Sequence, residues 1–302
     1  MSLVSVGTVA FDAIETPFGK VDKIVGGAAL YISLAASYFY DKCKIVSIIG
    51  DDYDQKTLDL MSNKGIDLKG LEIKKGEKSF FWSGKYHYDL NSRDTLITDL
   101  NVLAEFDPVL PEEYKDPDLV MLGNLSPSVQ LSVIEQINPR PKLVALDTMN
   151  FWMDSAPKEL DMAIAKIDLL TINDEEARQY TGEHSLVKAA KKILKKGPKY
   201  LVIKKGEHGA LLFHDNDLFF APALPLEDVI DPTGAGDTFA GGMMGYLAGT
   251  KNLSFENLKR AVIAGSAMAS FAVEAFGPEK LYDLDQAMID SRIAEFRSLI
   301  SF

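Results

Sequence analysis

Apolar residues along this chain fall into short continuous runs, separated by longer stretches in which they recur every three or four positions. Runs of this length rich in aliphatic residues read as strands buried on both faces, and the periodic stretches between them read as helices. Residues 3–9, 44–49, 118–123, 142–146, 168–172 and 200–204 are runs of the first kind. Residues 28–39, 57–64, 258–273 and 284–296 are stretches of the second, with Gly65 placed to stop its helix. The alternation predicts an α/β fold with a doubly wound, mainly parallel sheet flanked by helices. One segment breaks the rhythm. Between residues 78 and 88, Phe80, Phe81, Trp82, Tyr86 and Tyr88 interleave with polar residues, which predicts a strand pair turning near Gly84. A doubly wound sheet has no need of such an insertion. We read segments near 13–25 and 73–103 as a small β lid on a single domain filling residues 1–302, with Lys85, His87 and Arg93 as lid residues able to reach a substrate and no choice among them from spacing alone.

The buried runs share a second property: they end in polar residues. Asn124, Asp147 with Asn150, Asn173 and Lys204 each stand at or just past the end of a run, and Asp12 follows the first. Ligands of open α/β sheets sit at the carboxyl ends of the strands, so these groups are expected to ring one crevice. Asn173 and Glu176 share a helix face and also suit a capping box. Either Lys204 or Lys205 can reach phosphates from their strand end, or both lie in solvent. Gly206 and Gly209 mark a tight turn between two strands.

The most informative stretch is Asp231-Pro-Thr-Gly-Ala-Gly-Asp237, followed by Thr-Phe-Ala-Gly-Gly242. Pro232 and the glycines forbid regular structure, whereas Phe239, Met243, Met244 and Leu247 then recur at helical spacing. A loop therefore feeds a helix. Small residues at Gly234, Ala235 and Gly236 let backbone N–H groups crowd around an anion at the positive helix end. Asp237 beside that cradle either offsets the helix dipole or accepts a proton from an attacking hydroxyl. A helix cap needs no glycines around it, which favours the second role. Gly26-Gly27 opens another apolar helix, and its backbone donors are expected to point outward in the same way.

With 302 residues, 47% of them hydrophobic, the chain can bury a large core without dividing at a linker. A formal charge of −12 argues against nucleic-acid and anionic-membrane partners. The lone Cys43 excludes an internal disulfide framework. The start carries no signal-like apolar region, which with the single thiol leads us to expect a cytoplasmic enzyme. A dinucleotide fingerprint would need glycine where Phe239 stands, no P-loop run occurs, and the four histidines lack zinc-ligand spacing.

Residues 231–244 resemble the C-terminal signature of the ribokinase-like (PfkB) carbohydrate kinases, and the order of elements resembles that family along essentially the whole chain. The resemblance implies an ATP-dependent kinase using Mg²⁺, with room for a monovalent cation, in which Asp237 is the catalytic base and Gly234, Ala235 and Gly236 form the anion hole. It implies substrate contacts from Asp12, Gly26 and Gly27, alongside the strand-end Asn124. Asn173, Lys204, Gly206, Gly209, Ser266 and Gly277 would face the nucleotide, and Glu176 would hold the metal, mainly through water. Two departures stand out. Tyr31 occupies the place of a substrate-binding Asn, its ring either stacking on a ligand or packed in the core, and Ser266 replaces a common Asn near the base. A simple sugar is the expected acceptor, a nucleoside the runner-up, and a non-catalytic nucleotide-binding regulator the third reading. Family lids often pair edge to edge, which implies a homodimer.

Overall fold

The computed structural model describes residues 1–301. Its strands are β1 (Leu3–Val6), β2 (Ala10–Thr16), β3 (Gly19–Gly26), β4 (Cys43–Gly50), β5 (Asp67–Lys74), β6 (Phe80–Tyr86), β7 (Arg93–Asp99), β8 (Leu119–Leu122), β9 (Leu143–Asp147), β10 (Leu169–Asn173), β11 (Tyr200–Lys204), β12 (Ala210–His214) and β13 (Asp217–Ala221). The helices are α1 (Ala28–Ser37), α2 (Gln55–Asn63), α3 (Pro127–Gln136), α4 (Asn150–Ser155), α5 (Pro157–Ile164), α6 (Asp174–Thr181), α7 (Leu186–Leu194), α8 (Ala235–Thr250), α9 (Phe255–Ala272) and α10 (Gln286–Leu299).

Two sheets result. The larger runs β13-β12-β11-β10-β9-β8-β1-β4-β5, parallel from β11 through β5, with β12 and β13 added antiparallel. Its strands lie between two apolar layers, one including α1, α8 and α9 and the other α3, α5, α6 and α7. Burial on both faces is what demanded the unbroken aliphatic runs. The smaller sheet, β3-β2-β6-β7, joins residues far apart in sequence.

Glycine decides how closely α8 approaches α1. A Cβ at Gly241, Gly245 or Gly249 would overlap the backbone of Ile32, Ala36 or Phe39 respectively. Recurring every four residues, these glycines form one stripe along α8, and the two backbones meet along it. In an isolated helix each would cost up to about 1 kcal/mol against Ala, a loss that close packing offsets here.

Three expectations need correction. The first strand ends at Val6 rather than residue 9, so Asp12 sits inside β2 of the small sheet and not at the tip of the main one. The small sheet's hairpin turns at residues 87–92, where the His87 N–H donates to the Ser92 carbonyl at 2.9 Å, while Gly84 lies at a bulge within β6 beneath the Trp82 ring. An isolated Gly inside a strand pattern marks a bulge as readily as a turn. Ile73 belongs to β5 of the main sheet, so the second lid segment begins at β6.

Candidate active site

The start of α8 is the centre of the site. Gly234 is its N-cap at φ +74°, and a Cβ there would overlap the Tyr31 ring, so only glycine lets the loop enter this helix. Among the described residues no protein acceptor takes the N–H groups of Gly234, Gly236 or Asp237. Unspent donors thus gather at the positive end of a sixteen-residue helix. Asp237 lies in its first turn. Burial, reinforced by the Asp147 charge and opposed by Lys204 and Arg93, pushes its carboxyl up to about 7.

On the side of the small sheet, Asp12 fits against Gly26, where a Cβ would overlap its carboxylate. Burial, then the charges of Asp231 and Asp237, push the Asp12 carboxyl up to about 8. Ladder partners flank it, Ile24 on β3 and Trp82 on β6. Asp231 is fully buried and accepts the N–H groups of Thr233 at 2.8 Å and Gly277 at 3.0 Å. The Thr233 hydroxyl donates to Tyr86 Oη at 3.2 Å, which joins the anion loop to the small sheet. Gly277 also packs against Ile24, so the turn after α9 touches that sheet as well.

Main-sheet strand ends supply the other side. Lys204 Nζ lies 2.7 Å from Asp147 Oδ2 and 3.0 Å from where a Cβ of Gly236 would be. Burial pulls the Lys204 amine down, but the carboxylates of Asp147 and Glu176 outweigh it and the net shift is upward. Asn173 and Glu176 form the capping box: the Glu176 N–H donates to Asn173 Oδ1 at 2.7 Å, and the Asn173 N–H donates to Glu176 Oε2 at 2.9 Å. Burial and then Asp147 push the Glu176 carboxyl up to about 7. Gln130, completely buried, donates to the carbonyls of Gly123 and Asp147 and so ties the ends of β8 and β9 together.

Some expected residues are placed differently. The donors opening α1 are consumed, since Ala28 N–H donates to Thr8 Oγ1 and Ala29 N–H to the Thr8 carbonyl, both at 2.9 Å; the Gly26-Gly27 step offers no free pair. Tyr31 is 1% exposed, packed under Gly234 and against Met268 and Phe271, and its ring presents no face for stacking. Its hydroxyl, buried without a partner, is raised well above its ordinary range by burial and then by Asp12 and Asp231. The Asn124 amide is engaged by Trp152 Nε1 at 2.9 Å and Met149 Sδ at 3.0 Å. Gly206 takes φ +53° against Asn91 of the lid hairpin, and Gly209 takes φ +81° against the end of β13. Ser266 lies midway along α9, and among the described residues no hydrogen bond joins it to the cluster. Lys205 leans over Phe220, leaving Lys204 as the strand-end lysine at the site.

Asp147, Tyr86 and Arg93 carry more of the site than their sequence context implied. Asp147 showed only as one polar strand end among several. Arg93 is one of three basic lid residues, with Lys85 and His87, among which spacing in sequence gives no means of choosing. In the structure Lys85 pairs with Glu15 at 2.6 Å and His87 with Asp94 at 3.2 Å.

Among the described residues no three His, Cys, Asp or Glu side chains converge on a metal site. The residues fit Mg²⁺ in another way: the carboxyl groups of Asp12, Asp147, Glu176, Asp231 and Asp237 outnumber Lys204 and Arg93, and a cation arriving with phosphates would offset the burial and mutual repulsion that raise Asp12, Glu176 and Asp237.

Free donors at a helix start, beside a carboxyl that titrates near neutrality, suit transfer of a phosphoryl group to an alcohol, and this fold defines the class: an α/β kinase with a sheet-built lid. The chain belongs to the pfkB family of carbohydrate kinases, whose pattern matches residues 2–283, and is thus an ATP-dependent phosphotransferase. It is 30% identical over 256 residues to a cytidine kinase of Thermococcus kodakarensis, covering 82% of this chain and 90% of the relative. A nucleoside kinase of Methanothermobacter thermautotrophicus is 25% identical over 307 residues, covering 92% and 91%. In structure it resembles the Methanocaldococcus jannaschii nucleoside kinase, with a TM-score of 0.76 at 21% identity over 98% of this chain and 99% of that one. A putative ribokinase II from E. coli, solved with ATP and Mg²⁺, gives a TM-score of 0.79 at 18% identity over 97% and 99%.

Proposed function

We propose that this chain is a nucleoside kinase, transferring the γ-phosphoryl group of ATP to the primary alcohol of a ribonucleoside. The observation that carries the reading is the pairing of Asp12 with Trp82 on adjacent strands of the lid, opposite the start of α8. A carboxyl group suits ribose hydroxyls, and an indole beside it suits the flat face of a base. The cytidine and nucleoside kinases among the relatives support the same order of preference, which reverses the ranking of a simple sugar above a nucleoside.

The roles follow from position. Asp237 takes the proton of the attacking hydroxyl, and a carboxyl titrating at about 7 is well matched to that task. The free N–H groups of Gly234, Gly236 and Asp237 hold charge that develops on the phosphoryl oxygens, whereas the Ala235 N–H, expected among them, donates to the Pro232 carbonyl at 3.2 Å. Gly26 makes room for Asp12, Gly27 starts α1 beneath the acceptor, and Tyr31 props the loop at Gly234. Lys204, the Asn173–Glu176 box and the Gly206–Gly209 turn serve the nucleotide, with Ser266 and Gly277 at its margins. Mg²⁺, when bound with ATP, neutralises phosphate charge, and Glu176 and Asp147 are the groups that would hold it, largely through water.

In this reading residues 1–302 work as one domain whose lid strands are β2, β3, β6 and β7. Leu96, Ile97 and Leu100, exposed on and beside β7, support pairing of two copies through the lid. An ATP donor and a lone buried thiol fit a cytoplasmic enzyme.

The test is an ADP-release screen over nucleosides, pentoses, hexoses and sugar acids. Nucleosides are expected to give the highest kcat/KM, and Trp82→Ala to lower it for them by about tenfold, as for a lost stacking contact of 1–3 kcal/mol. A pentose or hexose turned over faster than every nucleoside overturns the reading.

A further inference from the structure

The β6–β7 hairpin touches the site at two places, and one unpaired cation lies between them. Where β6 enters the turn, buried Tyr86 meets Thr233 of the anion loop through the 3.2 Å hydrogen bond. At its tip, Asn91 lies so close to Gly206 that a Cβ there would overlap the Asn91 side chain. Arg93 is the ladder partner of Tyr86 and stands two residues past Asn91. The hairpin therefore spans from the loop holding Asp237 to the turn expected at the nucleotide, and Arg93 sits within that span.

The other basic side chains of this hairpin are spent. Lys85 is held by Glu15 and His87 by Asp94, whereas among the described residues no carboxylate pairs with Arg93. Lys204, the remaining cation of the cluster, is committed to Asp147 at 2.7 Å. The Arg93 charge is felt on both sides of the site, lowering the carboxyls of Asp237 and Glu176 against the burial that raises them.

We propose that Arg93 is delivered by the β6–β7 hairpin to the phosphoryl group in transfer, as the second cation of the site and the one free to bind it. In the step itself the acceptor oxygen forms a bond to the γ-phosphorus as the bond to the β-phosphate oxygen breaks. Asp237 takes the hydroxyl proton and ADP leaves with the bonding electrons. A planar guanidinium spans two equatorial phosphoryl oxygens, which a lysine cannot do. The hairpin carries that charge, so the cation arrives only when the lid lies across both substrates. This would couple phosphate stabilisation to closure over the acceptor and discourage transfer to water.

The inference rests on the kinase reading, and the experiment separates the two. Arg93→Ala is expected to lower kcat by about 10²- to 10³-fold, with ADP affinity by calorimetry within threefold of wild type. Guanidinium at millimolar concentration is expected to restore at least tenfold of the loss, and Arg93→Lys to recover only part of it. An Arg93→Ala enzyme within threefold of wild-type turnover overturns the proposal. So does a slow variant that has lost ADP affinity and gains nothing from guanidinium, because that pattern belongs to a collapsed lid. If Asp237→Asn also leaves turnover intact, the site reading itself falls and this proposal with it.

Discussion

Asp147 and Asp12 are both buried carboxyl groups of one site, yet the two sheets that carry them treat them oppositely. Asp147, on the nine-stranded sheet, has a lysine at 2.7 Å and a glutamine holding its carbonyl. Asp12, on the four-stranded sheet, faces glycine and the like charges of Asp231 and Asp237. One is satisfied before any ligand arrives; the other awaits a partner. In the proposed reading the difference is a division of labour: the large sheet fixes the groups that would hold the nucleotide, and the small sheet presents those that would select and cover the acceptor, with Arg93 its one reach toward the phosphates. Burial on two faces makes the first rigid, whereas β7 is exposed along its length and its sheet meets the site through contacts at Thr233, Gly206 and Gly277.

The hardest test of this division is at its boundary. Asp237→Asn should lower kcat by roughly two to four orders of magnitude while leaving nucleotide affinity unchanged. The rise of wild-type rate with pH, expected around 7, should disappear with it. Near-native turnover, with chemistry rate-limiting, would remove Asp237 from the reaction. A comparable loss of ATP affinity would erase the boundary between the two sides.

Next comes the large sheet itself. Lys204→Met leaves Asp147 buried without its cation, which costs about 3–5 kcal/mol. Urea denaturation should register that loss, and Lys204→Met with Asp147→Asn should recover most of it. A single variant as stable as wild type would mean that the pair is not what holds the strand ends together.

The small sheet predicts a pH effect of opposite character. Asp12 keeps its proton in the folded state up to about 8, whereas the unfolded chain releases it near 3.8. Between those values the folded state binds more protons, so the Asp12 contribution to unfolding free energy falls as pH rises. Asp12→Asn should flatten that slope and weaken the acceptor without changing ATP affinity. An unchanged slope would show that Asp12 is not strained in the free enzyme. The smallest expected effect is Tyr86→Phe. Losing one hydrogen bond to Thr233 should raise acceptor KM about two- to tenfold with little change in kcat. A large fall in kcat instead would make this contact part of the chemistry and not of the cover.

Much of the large sheet was legible because its demands are local. Aliphatic runs, strand-end polar residues and the Asn173–Glu176 spacing each carry their meaning within a few positions, and the glycine loop before Asp237 does the same. The small sheet was harder to read because its pairings are not local: β2 lies beside β6 across more than sixty residues of chain. Spacing in sequence therefore placed the hairpin turn at Gly84, where the chain only bulges, and left Asp12 in the wrong sheet. It also left Lys85, His87 and Arg93 equivalent, since ion pairing is a property of neighbours that spacing does not name. The spent donors of α1 were hidden for the same reason: Thr8 satisfies them from outside the helix. Tyr31 shows the limit from the other direction, because stacking and core packing ask the same of a sequence and only burial separates them.

The glycine stripe along α8 has a consequence for how damage to this gene product would be read. Asp237 opens α8 and the helix that follows Gly27 is α1, so the proposed proton acceptor and the proposed floor under the acceptor ride on two rods in backbone contact. A methyl group at Gly241 or Gly245 would wedge those rods apart without meeting any substrate. In a growth-based mutational scan such alleles would score as dead enzyme, and a map of intolerance would draw the active site a full helix longer than its chemistry is.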